Sequence, residues 1–287
     1  MIAKRMLISA LDRPGGRWLL SALASWYARR KTDRDVSVWY DGLWVRSLDS
    51  KIHFTDMPEF RYFADDIADF PRIAEGMSEA VKDYWFYLYK PGPGDLIVDV
   101  GAGFGFDSFV FSRSVGSSGR VIAIEAHPKT FRRLEKFCRL NQLTNVTPLH
   151  LAAVDKKRDV YIESLINDEL NSVELEPKGE AAFKVQGLSI DEICRQQKVE
   201  RIDLLKMNIE GAERLAIQGM AEMIKKTRYA CIACHDFRAG ESDKFSTTAA
   251  VSDFLRDNHF QVTVRSEDPR PHVRAHLHAV NTVISSQ

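Results

Sequence analysis

Asp99-Val100-Gly101-Ala102-Gly103-Phe104-Gly105 stands where an apolar run, Leu96 to Val100, gives way to a helix-like segment, Phe106 to Val115. A glycine-rich turn between a strand and a helix is the context that makes such a motif informative. Glycine lacks the Cβ that would collide with a ligand, and it admits backbone angles that other residues avoid. The helix that follows points its unpaired N–H groups toward whatever the loop holds.

The spacing of the glycines narrows the ligand. A dinucleotide loop reads G-x-G-x-x-G, its third glycine allowing close packing beside the pyrophosphate. Counted from Gly101 the sixth position is Phe106, and counted from Gly103 it is Ser108. The acid ahead of the loop, Asp99, suits the amino group of an amino-acid moiety better than a pyrophosphate. Glu125 ends the next apolar run, 22 residues beyond Gly103. A carboxylate near that spacing takes hydrogen bonds from ribose hydroxyls. The pattern therefore reads as an adenosine site, and the absent third glycine turns the choice from NAD to S-adenosylmethionine. An NAD(P)-dependent oxidoreductase is the alternative enzyme class, and a non-catalytic nucleotide-binding scaffold the alternative without chemistry.

Outward from the loop, apolar runs alternate with helical segments: Val121–Glu125, Pro128–Asn141, Val146–Leu149, Ile202–Met207, Ala212–Gln218, Tyr229–Cys234, Thr247–Asn258 and Phe260–Arg265. Repeated βα units with fully apolar strands predict an α/β fold, a mostly parallel sheet with helices on both faces. The last segment, about Val273 to Ile284, is expected as an antiparallel edge. Residues 155–190 read as an insertion, with short strands around Val160-Tyr161-Ile162 and Phe183-Lys184-Val185. Residues 1–90 read as an N-terminal α+β extension and 91–287 as the nucleotide-binding domain. The extension holds a helix over Arg17–Arg30, then a hairpin, Val36–Tyr40 and Leu43–Leu48, around Asp41-Gly42. A helix over Glu75–Tyr89 stops at Pro91-Gly92-Pro93-Gly94.

With these motifs in place, the chain resembles the FkbM-type methyltransferases. Three stretches carry the resemblance: Ile97 to Gly103, Val121-Ile122-Ala123-Ile124-Glu125-Ala126-His127-Pro128, and Leu205-Lys206-Met207-Asn208-Ile209-Glu210-Gly211-Ala212-Glu213. The resemblance covers roughly residues 80–265. It implies a Rossmann-like class I methyltransferase fold, seven-stranded with the last strand antiparallel. It also implies O-methylation of a hydroxyl on a sugar, glycolipid or natural-product acceptor. Many members carry Asp where this sequence has Asn208, a departure that removes the charge on which a role such as metal ligation would draw.

Composition bounds the partners. Forty basic residues balance forty acidic ones, so net charge gives no hint of nucleic acid. Four scattered cysteines, Cys138, Cys194, Cys231 and Cys234, read as reduced thiols of a cytoplasmic protein. The run from Trp18 to Ala28 is too short for a membrane span, which needs roughly 20 residues. Residues 1–34 nevertheless carry eight Lys/Arg against two Asp, interleaved with Trp18, Leu19, Leu20, Leu23, Trp26 and Tyr27. That pattern suits peripheral contact with an anionic membrane; a helix docked on protein with a solvated basic face is the plainer reading.

In open α/β sheets ligands bind outside the carboxyl ends of the strands. Asn208 and Glu210 follow one such end, and His235 and Asp236 follow another. Asn208 joins Asp99, Gly101, Gly103, Gly105 and Glu125 as a cofactor residue. His235 is the candidate general base, its ordinary pKa suited to neutral pH, with Asp236 or Glu210 to orient it. A variant reading makes Asp236, Glu210 and His235 ligands for Mg²⁺, an ion that wants octahedral oxygen ligation. Glu213 reads as a helix cap. Cys231-x-x-Cys234 lacks a second ligand pair for zinc, and His276 and His278 read as an edge-strand feature.

Overall fold

The computed structural model describes residues 2–55, 58–162, 173–176 and 182–284, with side chains from Met6 onward. The chain divides into two compact units, residues 1–80 with 136–142, and residues 81–135 with 143–287.

The first unit begins with α1 (Ile2–Leu11) and α2 (Arg17–Thr32), followed by antiparallel strands β1 (Val36–Asp41), β2 (Leu43–Leu48) and β3 (Ile52–Thr55). Gly42, at φ +72°, closes the hairpin between the partners Asp41 and Leu43. The short β3 extends the expected hairpin to three strands. Asp12 fastens the unit internally: its carboxylate accepts from Trp44 Nε1 at 3.2 Å, Phe60 N at 2.7 Å and Arg17 Nε at 3.0 Å. The next helix, α3 (Phe70–Trp85), starts five residues before the expected Glu75. Pro71 explains the early start, since a first-turn residue needs no N–H.

The second unit carries the sheet that positions the site. Its chain runs β4 (Leu96–Val100), α4 (Phe106–Val115), β5 (Arg120–Glu125), α5 (Pro128–Leu140) and β6 (Val146–His150). Four short strands follow, β7 (Ala152–Ala153), β8 (Arg158–Ile162), β9 (Val173–Glu174) and β10 (Phe183–Leu188), pairing as a separate small sheet. Here the expected strands of the insertion are found; its residues 163–172 and 177–181 lie outside those described. Then come α6 (Ile190–Gln196), β11 (Ile202–Met207), α7 (Glu213–Ile217), β12 (Thr227–Ala233), α8 (Thr248–Asp257), β13 (Phe260–Thr263), α9 (Pro271–Arg274) and β14 (His276–Asn281).

The main sheet has the order β6-β5-β4-β11-β12-β14-β13. β14 runs antiparallel to both its neighbours, while the β6-to-β12 pairs are all parallel. The expectation of β14 as an edge is corrected: it lies between β12 and β13, and β13 is the edge. Burial gives the reason, because five of the six β14 residues are buried while only Phe260 is buried in β13. His276 and His278 are accordingly interior side chains, and desolvation pushes their pKa values down to about 3 and about 4. Residues of α6, α7 and α8 (Ile193, Ala216 and Val251) share one core with Val98, Ile122 and Ile232 of the strands. Among the described residues no helix is long and apolar enough to cross a membrane.

One polar pair crosses this apolar sheet. Lys206 of β11 stands in register with Asp99 of β4, both are buried, and Nζ lies 2.8 Å from Asp99 Oδ1. The ammonium also donates to the Gly101 carbonyl at 2.7 Å and sits 3.3 Å from Asp107 Oδ2. Asp99 Oδ2 accepts from Ser108 Oγ at 2.6 Å. Burial lowers the Lys206 pKa, but Asp99 and Asp107 outweigh it and the net shift is upward. Removing one partner of a buried pair leaves an uncompensated charge, at about 3–5 kcal/mol. We expect Lys206→Met to lower unfolding free energy by that order in chemical denaturation. Adding Asp99→Asn to it should return part of the loss; a double variant as unstable as the sum of the two singles would show that the two residues do not interact.

Candidate active site

The sheet brings two groups of polar residues to the carboxyl ends of β4, β5, β11 and β12. The first is the glycine loop. Gly101, at φ +79°, follows β4, and its N–H donates to Ile124 O at 2.9 Å. A Cβ there would come within 1.9 Å of the Asn208 carbonyl, a clash no rotamer relieves. Gly103, at φ +57°, has among the described residues no atom within 4 Å of the place a Cβ would take, so its outer side is open. Gly105, at φ +103°, is the N-cap of α4.

Glu125, at the end of β5, reaches across to this loop. Its carboxylate accepts from Gly103 N at 2.9 Å and from His127 N at 2.8 Å. Burial raises the Glu125 pKa to about 7 against the lowering effect of those two amides. Asn208, just after β11, donates its N–H to Val100 O at 2.9 Å. Its side-chain Oδ1 is buried and accepts no hydrogen bond among the described residues. A buried acceptor left without a donor costs about 1–3 kcal/mol, which a ligand's donor would relieve.

Asp99 lies elsewhere than expected. It is sealed under the loop on Lys206 and Ser108, so it holds the loop from beneath and does not face an amino-acid moiety. Lys206 belongs to the site although its motif did not single it out; a lone Lys inside Leu204-Leu205-Lys206-Met207 is the visible sign of a buried, paired charge. Trp85 is a further addition. Its Nε1 donates to Asp107 at 3.1 Å, and its ring lies 5.1 Å from Lys206 Nζ.

The second group is built on a tight turn after β11. Glu210 and Gly211 both have positive φ, +52° and +97°, which swings the Glu210 side chain back toward the strand end. Beyond β12, buried His235 lies between two carboxylates: Nε2 is 3.2 Å from Glu210 Oε1 and Nδ1 is 3.1 Å from Glu213 Oε1. Glu213 is fully buried and also accepts from Ile209 N at 3.1 Å and Gly211 N at 3.0 Å. It thus braces the turn, as a cap would, and additionally holds the imidazole, a second role that its position in the sequence does not announce. Glu210 Oε2 in turn takes Arg238 Nη1 at 2.6 Å.

Electrostatics then alters the expectation for His235. Desolvation lowers its pKa, but the hydrogen bonds and charges of Glu210 and Glu213 prevail and raise it to about 9. At neutral pH the ring is an imidazolium, not the neutral base expected from its ordinary pKa. Asp236 is not its orienter. That carboxylate accepts from Thr247 N, Thr248 N and Thr248 Oγ1 at 3.0, 2.9 and 2.6 Å, capping the start of α8. The structure brings together His235 with Glu210 and leaves Asp236 outside. Among the described residues no group of three or more His, Cys, Asp or Glu is disposed to hold a metal ion. Cys231 and Cys234 are both buried, and desolvation raises both thiols.

A seven-stranded sheet with one antiparallel strand, a glycine loop after β4 and an acid ending β5 make up the Rossmann-like fold that the class I methyltransferase resemblance implies. A model of the FkbM methyltransferase domain matches residues 99–262, more than half of the chain. The chain belongs to the FkbM methyltransferase family. No curated protein matches it in sequence. Among solved structures it is similar to an FkbM methyltransferase from Methylobacillus flagellatus, at 16% identity and a TM-score of 0.47, covering 76% of this chain and 60% of that one. It is also similar to fibrillarin from Aeropyrum pernix, a structure with natively bound S-adenosylmethionine, at 18% identity and a TM-score of 0.45, covering 70% and 74%. A SAM-dependent methyltransferase from Aquifex aeolicus gives 17% identity, a TM-score of 0.40, and coverage of 70% and 86%.

The open side of Gly103, the donorless Asn208 Oδ1 and the Glu125 carboxylate fit S-adenosylmethionine, the methyl donor of such an enzyme. The loop glycines can be told apart by substitution. Gly101→Ala should destabilise the fold, because its methyl meets backbone. Gly103→Ala should cost only about 1–2 kcal/mol, that of a left-handed residue, while weakening S-adenosylhomocysteine binding. Equal loss of stability in both would refute the distinction. Glu125 can be tested by its proton. Its folded pKa of about 7 exceeds the ordinary glutamate value of 4.5, so its contribution to stability is full at low pH and is lost as pH rises through 7. Hydrogen bonds from ribose hydroxyls favour the charged form, so ligand binding should release a proton near pH 7. Calorimetry in buffers of different ionisation enthalpy should detect that proton, and Glu125→Gln should abolish it with about tenfold weaker binding.

Proposed function

We propose that the chain transfers a methyl group from S-adenosylmethionine to a hydroxyl of a sugar, glycolipid or natural-product acceptor in the cytoplasm, with His235 taking the hydroxyl proton. One observation supports the base assignment above the others: the Glu210–His235–Glu213 cluster stands at the same sheet end as the glycine loop, one turn of chain from Asn208. The sulfonium methyl, when the cofactor is bound, is already activated. What the protein adds is alignment, which supplies roughly 7–11 kcal/mol in well-oriented systems, and a place for the proton, worth about 10²- to 10⁴-fold.

The chain's own groups account for the proton as follows. Glu213 fixes the ring through Nδ1, and Glu210 faces Nε2. Above its raised pKa the imidazolium gives its Nε2 proton to solvent, and that nitrogen then accepts the proton of the acceptor hydroxyl as the hydroxyl oxygen takes up the methyl group. Arg238, bound to the far oxygen of Glu210, keeps the carboxylate aimed.

Titration with S-adenosylhomocysteine, NAD and NADP tests the cofactor: tight binding of a dinucleotide with no response to S-adenosylhomocysteine would sink the reading. The base is tested by pH. The raised pKa of His235 means that the active neutral ring grows with pH, so kcat/KM on a hydroxylated acceptor should climb to a plateau above about 9. Glu210→Gln withdraws one of the groups that raise this pKa, so its profile should shift to lower pH. His235→Ala should lose turnover with unchanged affinity for S-adenosylhomocysteine; retained turnover would transfer the role to Glu210 or to alignment alone.

A further inference from the structure

The central turns of α2 are apolar on the side that faces solvent. Leu20, Ala24 and Ala28, spaced by four, make up the buried face. The rest of the helix surface carries Trp18, Leu19, Leu23, Trp26 and Tyr27, which are 71%, 36%, 45%, 61% and 43% exposed. A helix docked on protein would bury these large side chains and solvate only its basic residues. The structure instead buries one leucine and two alanines and leaves the tryptophans, the tyrosine and two leucines out. Two exposed tryptophans, a tyrosine and two leucines on one helix are more than the single scattered apolar residues of an ordinary surface.

The charges around this stripe select its occupant. Arg29, Arg30 and Lys31 occupy the last turn, and Arg13 stands exposed just before the first. Arg13 and Arg30 have no carboxylate partner among the described residues, whereas Arg29 pairs with Asp35 at 3.2 Å and Arg17 with Asp12 at 3.0 Å. Both ends of the helix are therefore basic. Packing α2 against α2 of a second copy would set arginines against arginines in either direction. An anionic bilayer surface meets both requirements: its interface takes Trp and Tyr, and its headgroups take Arg and Lys. A shallow, open depression beside the stripe is lined by Trp26, Arg29, Arg30 and Trp39 among others, which sets two arginines next to an exposed tryptophan. We propose that α2 is a membrane-surface docking helix, laid in the plane of an anionic bilayer with Trp18, Leu23 and Trp26 in the acyl boundary.

Sedimentation with vesicles tests this on the full chain. With phosphatidylcholine vesicles containing phosphatidylserine, the protein should pellet, and with phosphatidylcholine alone binding should fall about tenfold. The double variant Trp18→Ser, Trp26→Ser should lose about tenfold on the anionic vesicles. Arg30→Glu with Lys31→Glu should do the same and remove the difference between the two vesicle types. Unchanged affinity for S-adenosylhomocysteine in both variants would show that they are folded. Wild-type protein that stays in the supernatant with anionic vesicles would overturn the proposal. So would a dimer that the tryptophan variant dissolves, since the stripe would then belong to a second copy.

Discussion

The Lys206–Asp99 pair is the constraint on which the site's geometry rests. Lys206 and Asp99 face each other across β11 and β4, adjacent strands in the middle of a mostly apolar sheet. A charge there is tolerable only when fully paired. The pairing also reaches beyond stability. The same ammonium holds the Gly101 carbonyl, and the same aspartate holds Ser108 of α4 through its second oxygen. Strand, loop and helix start are thereby tied to one buried point. The loop inherits its position from the sheet interior, and a ligand need not order it.

A different balance governs the second group. A histidine buried alone should titrate below its ordinary value, as His276 and His278 do. His235 is as buried as they are but moves the other way. The difference is the pair of carboxylates, one per ring nitrogen, which turns the site into a holder of positive charge at neutral pH. Such a ring is well oriented, and it is a weak base until it loses its proton. Geometry and proton affinity therefore make opposing demands on the same residue, and the alkaline dependence expected of the rate is where they meet.

How much of this is legible in the sequence follows from what each feature depends on. The strands and helices of the second unit are readable because apolar runs and breakers are local. The place of β14 is not, because strand order is set by non-local pairing, and its pattern alone does not distinguish an edge from an interior position. Gly101, Gly103, Gly105 and Glu125 can be picked from spacing. The true partner of Asp99 cannot, since Lys206 is 107 residues away in sequence and only the register of β4 with β11 joins them. His235 stands out from its place at a strand end, yet its charge state depends on Glu213, whose side chain looks like a cap. Adjacency pairs Asp236 with His235, and adjacency misleads: neighbouring residues after a strand end need not point the same way.

The two glycines at the heart of the loop show how structure separates readings that sequence merges. Both have positive φ, and a motif treats them alike. At Gly101 the space a side chain would need is filled by the backbone at Asn208, so the protein itself demands glycine there. At Gly103 the space is open, and its own amide is already committed to Glu125. Strain alone would permit Asn or Asp at such a position. The absence of any side chain where no protein atom forbids one is better explained by what approaches from outside. The first glycine packs against the sheet end, and the second keeps its outer side open to a ligand.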